Sequence, residues 1–309
     1  MKSEVFSMFG FGNNNGGTPI DTTPRPVSQA VQNAQGQWEQ EYEVWNGSQW
    51  VREMYVYDGA NWVKKPTPVV TKVDLTKNIP NTAAGISLKK SVISLDKSII
   101  NLEKKSGFNF DGHRAKVAVV MDYSGSMGSL YRNGAVQRLL TRLMPLALRF
   151  DDNGELDVWL FHNSFIRTES MDLSNFESYV QENITSKGYK MGCTSYAPVL
   201  QDVLRKYFVE DAASSNIPTF VVFITDGNND DKRATNEIVK ESSYKNIFIQ
   251  FVGIGNERFD YLERLDDLSG RPVDNTGFIK VADMERLSDE QLFEMLLDQY
   301  PDWLRNKRV

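Results

Sequence analysis

Between Ala115 and Tyr300 the chain alternates strongly apolar runs with stretches whose apolar residues recur at helical spacing, and no other feature constrains the fold so tightly. Ala115–Met121, Glu155–Phe161, Thr219–Thr225, Ile247–Ile254 and Gly277–Val281 are the strand candidates, with Ser164–Glu169 as a short returning edge strand. Between them Gly134–Phe150 carries Val136, Leu139, Leu140, Leu143 and Ala147 on one helical face, with Pro145 as a kink. Asn175–Asn183, Ala197–Phe208, Arg233–Ser243, Phe259–Leu268 and Asp289–Tyr300 also read as helices. Strands apolar on both faces need cover on both sides, and the interleaved helices supply it. The expected fold is α/β, a doubly wound, mostly parallel sheet flanked by helices.

The chain's 309 residues leave room for about two folding units. One cysteine, Cys193, and two histidines, His113 and His162, rule out a disulfide scaffold and leave little for Cys/His zinc sites. No run of apolar residues is long enough for a membrane-spanning helix, and the start MKSEVFSMFGFGNNN has too short an apolar core for a secretory signal. No membrane insertion is expected, and the expected location is the cytoplasm, with a virion particle as the alternative. The formal net charge is −6, and residues 107–309 hold 23 basic against 31 acidic side chains. That acidic balance disfavours nucleic acid as a partner and suits a divalent cation.

Upstream the texture changes. Residues 1–37 are rich in Gly, Asn, Gln, Thr and Pro without apolar periodicity and read as a flexible, disordered tail. Residues 38–65 hold two copies of one unit, Glu43-Val-Trp-Asn-Gly-Ser-Gln-Trp-Val51 and Tyr55-Val-Tyr-Asp-Gly-Ala-Asn-Trp-Val63. Asn46-Gly47 and Asp58-Gly59 are tight-turn dipeptides, so each copy reads as a small β-hairpin with Trp45, Trp50, Tyr57 and Trp62 sharing faces. Those aromatics are expected to form the core of the module, an open platform for sugar or protein being the less favoured reading. Residues 66–85 read as a Pro-containing linker. In residues 86–106 a seven-residue echo places Leu88, Val92, Leu95, Ile99 and Leu102 along one helical face, although the Ser/Ile/Val content suits strands. An amphipathic helix docked on a neighbour is the preferred reading, with its charges as a solvated face.

In doubly wound sheets ligands bind beyond the carboxyl ends of the strands. The first strand ends in Asp122-Tyr-Ser124-Gly-Ser126, the fourth in Thr225-Asp226-Gly227, and Gly192-Cys-Thr194-Ser-Tyr196 leads into a helix between them. Asp122, Ser124, Ser126, Thr194 and Asp226 are all hard oxygen donors, two anionic and three neutral. That set suits Mg²⁺, with Mn²⁺ as a substitute, and leaves a coordination position for a carboxylate from a partner. Phosphoryl transfer is disfavoured, because Ser124 stands where a phosphatase of that type needs a second acid and no Gly-rich phosphate loop is present. No enzyme activity is expected. Cys193 and His162 read as loop residues, and Asp230-Asp231 as acids placed at a helix start by its dipole.

Asp122-x-Ser124-x-Ser126, Thr194 and Asp226-Gly227 resemble the metal-ion-dependent adhesion site of von Willebrand factor A domains; the resemblance covers about residues 111–300, within a domain expected over residues 107–309. Lys116–Met127, Gly192–Val199 and Phe220–Gly227 are similar to the bacterial TerF-type branch of that superfamily, linked to tellurium-resistance and stress-response operons. Cys193 departs from the glycine usual in that branch. Ile86-Ser-Leu-Lys-Lys90 and Ile93-Ser-Leu-Asp-Lys97 resemble the opening of TerD-type domains. The resemblance implies a non-enzymatic module that engages an acidic side chain of a protein partner through the bound ion. The Trp-Asn-Gly-x-x-Trp units resemble segments of phage virion proteins, which implies the alternative of a virion or injection-particle component assembled through residues 38–63.

Overall fold

The computed structural model describes residues 11–12, 20–33, 36–45, 50–64, 75–211, 216–227, 229–284 and 286–307. The Asn46-Gly47 turn, residues 66–74 of the linker and the first ten residues lie outside them. The chain divides into two compact units, Met1–Thr71 and Lys72–Val309. No helix among the described residues is long and apolar enough to cross a membrane.

In the first unit β1 (Phe11–Gly12) pairs with β2 (Ile20–Asp21). A second sheet holds β3 (Arg25–Pro26), β4 (Val31–Gln32), β5 (Trp38–Trp45), β6 (Trp50–Tyr57) and β7 (Trp62–Lys64), all antiparallel, with β3 and β4 both paired to β5. The short strands before Gln37 were not legible, because two-residue polar pairings leave no alternation to read. The two repeats share β6 as a common strand. Trp45 pairs with Trp50 and Tyr57 with Trp62, their ring centroids 5.8 and 5.5 Å apart. Trp50 and Tyr57 are seven residues apart on one strand, so the two pairs face opposite sides of the sheet. Asp58 Oδ1 accepts the N–H groups of Ala60 and Asn61 and closes the second turn. The aromatics are only partly covered: Tyr55 is buried, whereas Trp38 and Tyr57 are exposed.

The second unit is built on a six-stranded sheet. Its strands are β8 (Lys116–Asp122), β9 (Asp157–Phe161), β10 (Phe165–Arg167), β11 (Thr219–Thr225), β12 (Ile247–Ile254) and β13 (Thr276–Val281), in the order β10-β9-β8-β11-β12-β13. All pairs are parallel except β10 with β9. The apolar strands serve two interiors by alternation. Val117, Val119 and Met121 of β8 and Phe220, Val222 and Ile224 of β11 enter one core; Ala118, Val120, Val221 and Phe223 enter the other. The first core is covered by α1 (Ala83–Ser106), α3 (Ala135–Phe150), α8 (Asp289–Leu297) and α9 (Tyr300–Asn306), the second by α5 (Ala197–Arg205), α6 (Lys232–Ser242) and α7 (Asp260–Asp266). Short helices α2 (Gly128–Arg132) and α4 (Tyr179–Asn183) complete the set.

The ambiguous segment 86–106 is a helix within this unit. Thr82 Oγ1 accepts the Gly85 N–H, and Gly107 at φ +70° sends its N–H back to the Glu103 carbonyl, a left-handed cap that favours glycine. Leu88, Leu95, Ile99 and Leu102 are buried against α3 and α8, and Val92 packs beside them. Polar contacts fix the register along α8: Ser91 to Asp289, Ser98 Oγ to the Glu290 carbonyl at 3.1 Å, Asn101 to Glu294 at 2.8 Å, and Lys105 to Asp298 at 2.5 Å. Truncating Leu95 to Ala should cost about 2–5 kcal/mol in denaturant unfolding, because the site cannot fully collapse. Ile93→Ala, on the exposed side, should change stability by less than about 0.5 kcal/mol.

His113 lies among Phe108, Phe110, Phe150 and Tyr300, with Nε2 3.1 Å from the Tyr300 hydroxyl. Burial, aided by the cations Lys307 and Arg149, pushes its pKa down to about 4. The unfolded chain therefore takes up this proton at higher pH than the folded one, and stability falls as pH drops from about 6.5 toward 4, by about 3 kcal/mol at most. Asp151 and Asp266, pushed up mainly by burial to about 6, act in the opposite sense. Subtracting the stability profile of His113→Phe from that of the wild type between pH 4 and 7 isolates the histidine; the difference should fall as pH drops from about 6.5 toward 4, and a difference that stays flat or rises would contradict this account.

Candidate functional site

Asp122 ends β8, a strand with parallel neighbours on both sides, and its carboxylate is fully buried. Oδ1 accepts the Ser124 N–H at 2.8 Å, which curls the following loop, and Oδ2 accepts the Thr225 hydroxyl at 2.7 Å from the end of β11. Tyr131 of α2 donates to the Asp122 carbonyl at 3.0 Å. In the same loop Ser124 Oγ and Ser126 Oγ lie 3.1 Å apart, and Ser126 Oγ donates to Asp226 Oδ1 at 3.0 Å. Four of the five expected residues thus form one connected group of oxygens at the carboxyl edge of the sheet.

The loop bearing Thr194 is laced to both of the others. Gly192 forms a parallel backbone bridge with Ser124, and the Thr194 carbonyl accepts the Asp230 N–H at 2.9 Å. Gly192 suits this close approach: a Cβ would lie 2.5 Å from Asn163 Oδ1 and 3.2 Å from the His162 Cβ, so a larger residue would have to push the Asn163 side chain aside. Ser195 N–H closes the same contact by donating to the His162 carbonyl. Thr194 itself is half-exposed, and its hydroxyl makes no hydrogen bond among the described residues. Thr194 joins the group through its loop, not through a side-chain contact.

Three further residues hold this geometry. Thr225 stands beside Asp122 in the β8–β11 register and ties the two strand ends together. Tyr196 is buried behind the loops, donating to the Gly227 carbonyl at 2.7 Å with its oxygen 3.2 Å from Thr225 Oγ1. Asp231 accepts the N–H groups of Tyr196 and Ala197 at 3.0 and 2.8 Å, so its charge sits at the start of α5. The helix-dipole reading of this acid therefore extends to α5, a neighbouring helix it does not itself open. Thr225 was legible in principle, since parallel strands that end together place Thr225 opposite Asp122. Asp231 was not, because its partner helix begins 34 residues earlier.

Burial is the main cause raising the Asp122 pKa, the neighbouring Asp226 carboxylate adds to it, and the hydrogen bonds from Ser124 and Thr225 oppose it. Among the described residues neither carboxylate has a Lys or Arg ion-pair partner, and no three His, Cys, Asp or Glu side chains gather as a metal cluster. The group is rich in hydroxyls and poor in counter-cations. Cys193 is exposed, and His162 Nδ1 accepts the Ser164 N–H at 3.0 Å within its own turn. From Ser126 and Asp226 an open cleft of about 1270 Å³ runs past Met127 and Leu139 to Leu287 and to Asp289 at the start of α8.

Several comparisons bear on this arrangement. YcbR, an uncharacterized protein of Bacillus subtilis (strain 168), is 43% identical over 196 residues, which is 63% of this chain and 79% of that protein. Proximal thread matrix protein 1 of the mussel byssus aligns with a TM-score of 0.47 at 14% identity, over 61% of this chain and 48% of that one. The chain thus spans about half the length of the mussel protein. The manganese-loaded Plasmodium vivax TRAP protein aligns with a TM-score of 0.44 at 20% identity, over 59% of this chain and 74% of that one. The family model described as vWA-TerF-like, vWA found in TerF C terminus, matches residues 114–309. A match of that extent takes in most of the chain and every strand of the six-stranded sheet, so the chain belongs to the vWA-TerF-like family.

Proposed function

We propose that Asp122, Ser124, Ser126, Thr194 and Asp226 hold Mg²⁺, or Mn²⁺ in its place, and that the chain uses this site to bind an acidic side chain of a protein partner without catalysing a reaction. The observation that carries the reading is the meeting of two carboxylates and two serine hydroxyls: Ser124, Ser126 and Asp226 are linked by hydrogen bonds of 3.0–3.1 Å, Asp122 joins them through the Ser124 N–H at 2.8 Å, and no basic side chain is paired to the acids among the described residues. Hard oxygen donors of this kind fit a small hard cation and fit zinc or copper poorly. When bound, the cation would supply positive charge and an open coordination position for an outside carboxylate.

The residues have separable tasks. Both oxygens of Asp122 are already engaged within a buried pocket, so it contributes charge and holds the Ser124 turn. Ser126 and Asp226 border the open cleft and face the side from which a partner arrives. Thr194, with its hydroxyl unengaged among the described residues, supplies a neutral oxygen from the third loop. Without a cation the two acids repel an incoming carboxylate; the ion reverses the sign of the site. Membership of the vWA-TerF-like family supports a place in a tellurium-resistance or stress-response type system. The virion reading has less support, because the repeat aromatics are largely engaged in cross-strand pairs within their own small sheet.

Titration of the full chain with MnCl₂, followed by paramagnetic resonance and calorimetry, tests the site. The wild type should bind one ion and gain about 2.7 kcal/mol of stability at a hundredfold excess over Kd. Ser126→Ala and Asp226→Asn should weaken or abolish binding while leaving the metal-free melting temperature nearly unchanged. A wild type that binds no ion, or an Asp226→Asn variant that binds as well as the wild type, would overturn the proposal.

A further inference from the structure

The seven-residue echo that builds α1 has a second face that the core does not use. Leu88, Leu95 and Leu102 recur every seven residues on the buried side. Ile86, Ile93 and Ile100 recur at the same interval on the opposite side, with 48, 56 and 50% of their surface exposed. At 1.5 Å per residue these three span about 21 Å, and a straight helix lets the row drift by only about 20° per heptad. Isolated surface isoleucines need no explanation, but an aligned row of three on a helix with a fully packed inner face is a different observation.

The charges of the helix are sorted in the same way. Its acids have partners within the unit: the exposed Asp96 lies 3.8 Å from Arg149, and Glu103 Oε1 accepts the Phe110 N–H at 2.8 Å. Lys105 is paired with Asp298. Lys90, Lys97 and Lys104 are exposed and have no ion-pair partner among the described residues. Each lies four residues beyond an isoleucine, about 40° around the helix. An apolar row is therefore edged by a row of unpaired cations, on a unit whose residues 107–309 carry eight more acidic than basic side chains, 31 against 23. Helix α1 also precedes the residues matched by the family model, which begin at 114.

We propose that this outer face of α1 is a docking surface for an amphipathic helix of a protein partner, one with an apolar residue at heptad spacing and acidic residues along its flank. The heptad interval fits knob-into-hole contact with a second helix. Charge selects the partner: the lysine row favours glutamate or aspartate opposite it and repels a second copy of α1. Three half-exposed isoleucines without an exposed aromatic on the same face make a poor membrane anchor. This surface does not depend on the proposed cation site and stands or falls separately.

The test uses the full chain and two labelled three-heptad helical peptides with leucine in the seam, one flanked by glutamate and the other by lysine. Fluorescence anisotropy should show binding of the glutamate peptide that weakens as salt is added, and no binding of the lysine peptide. Ile93→Asp should raise Kd at least about tenfold with the circular dichroism spectrum and unfolding midpoint retained. The combined variant Lys90→Glu, Lys97→Glu and Lys104→Glu should reverse the preference between peptides, which a merely weakened fold would not do. Failure of the glutamate peptide to bind, or binding unaffected by Ile93→Asp, would overturn the proposal. So would Ile93-dependent capture of phosphatidylserine vesicles in place of the peptide, or Ile93-dependent self-association in sedimentation.

Discussion

The buried Asp122 carboxylate is the joint on which the carboxyl edge of the sheet depends. It spans from its own strand to Thr225 on the next and turns the loop that follows through the Ser124 N–H. A buried carboxylate is tolerable only when its lone pairs are met, and here each oxygen has one partner inside the protein. Burial raises its pKa and Asp226 raises it further, so the arrangement is held under electrostatic tension at the place where the loops converge. The scaffold supplies the rigidity: β8 and β11 are apolar on both faces and covered on both, which leaves the strand ends as the only route for polar groups.

Asp122, Ser124, Ser126 and Asp226, which hydrogen bonds bring together, stand at strand exits, where the fold class itself says to look. Strands covered on both faces cannot carry ligand-binding groups along their length, so polar residues at strand exits stand out against apolar runs such as Thr219–Thr225. Tyr196 and Asp231 were not legible. Each acts across a loop junction set by tertiary packing, with Asp231 reaching back to the start of α5 and Tyr196 to Gly227. The helix boundaries that missed did so for local reasons. The helix read as Ala197–Phe208 ends at Arg205 and continues as a wider π turn over Lys206–Glu210, and the last helix breaks after Leu297 to restart at Tyr300 with Pro301 in its first turn. The five-residue α2 is too short to show a period.

Helix α1 shows how a repeat can serve two surfaces at once. Its heptad interval puts leucines on the inner side and isoleucines on the outer side. Periodicity alone identified the inner face through Leu88, Val92, Leu95, Ile99 and Leu102, and left open whether the segment was helix or strand. The caps at Thr82 and Gly107 and the contacts along α8 decide for helix, since no neighbouring strand pairs with it among the described residues. The outer row is hidden in the sequence because its residues are β-branched, a composition that suits a strand as well as a helical surface.

The two proposed surfaces would treat an acidic partner in opposite ways, and the difference is electrostatic in origin. At the loops, Asp122 and Asp226 generate a negative field that only a bound cation can invert, so attraction there is conditional. Along α1 the lysine row is positive without any cofactor, and its pull is limited only by screening over about 8–10 Å in physiological salt. A partner with both an acidic residue for the loops and an acidic helix for α1 would meet one constant and one switchable contact on the same folded unit. Linking two such contacts multiplies affinity through effective concentration. Removal of the ion would then lower affinity without abolishing association, a graded response that neither surface produces alone.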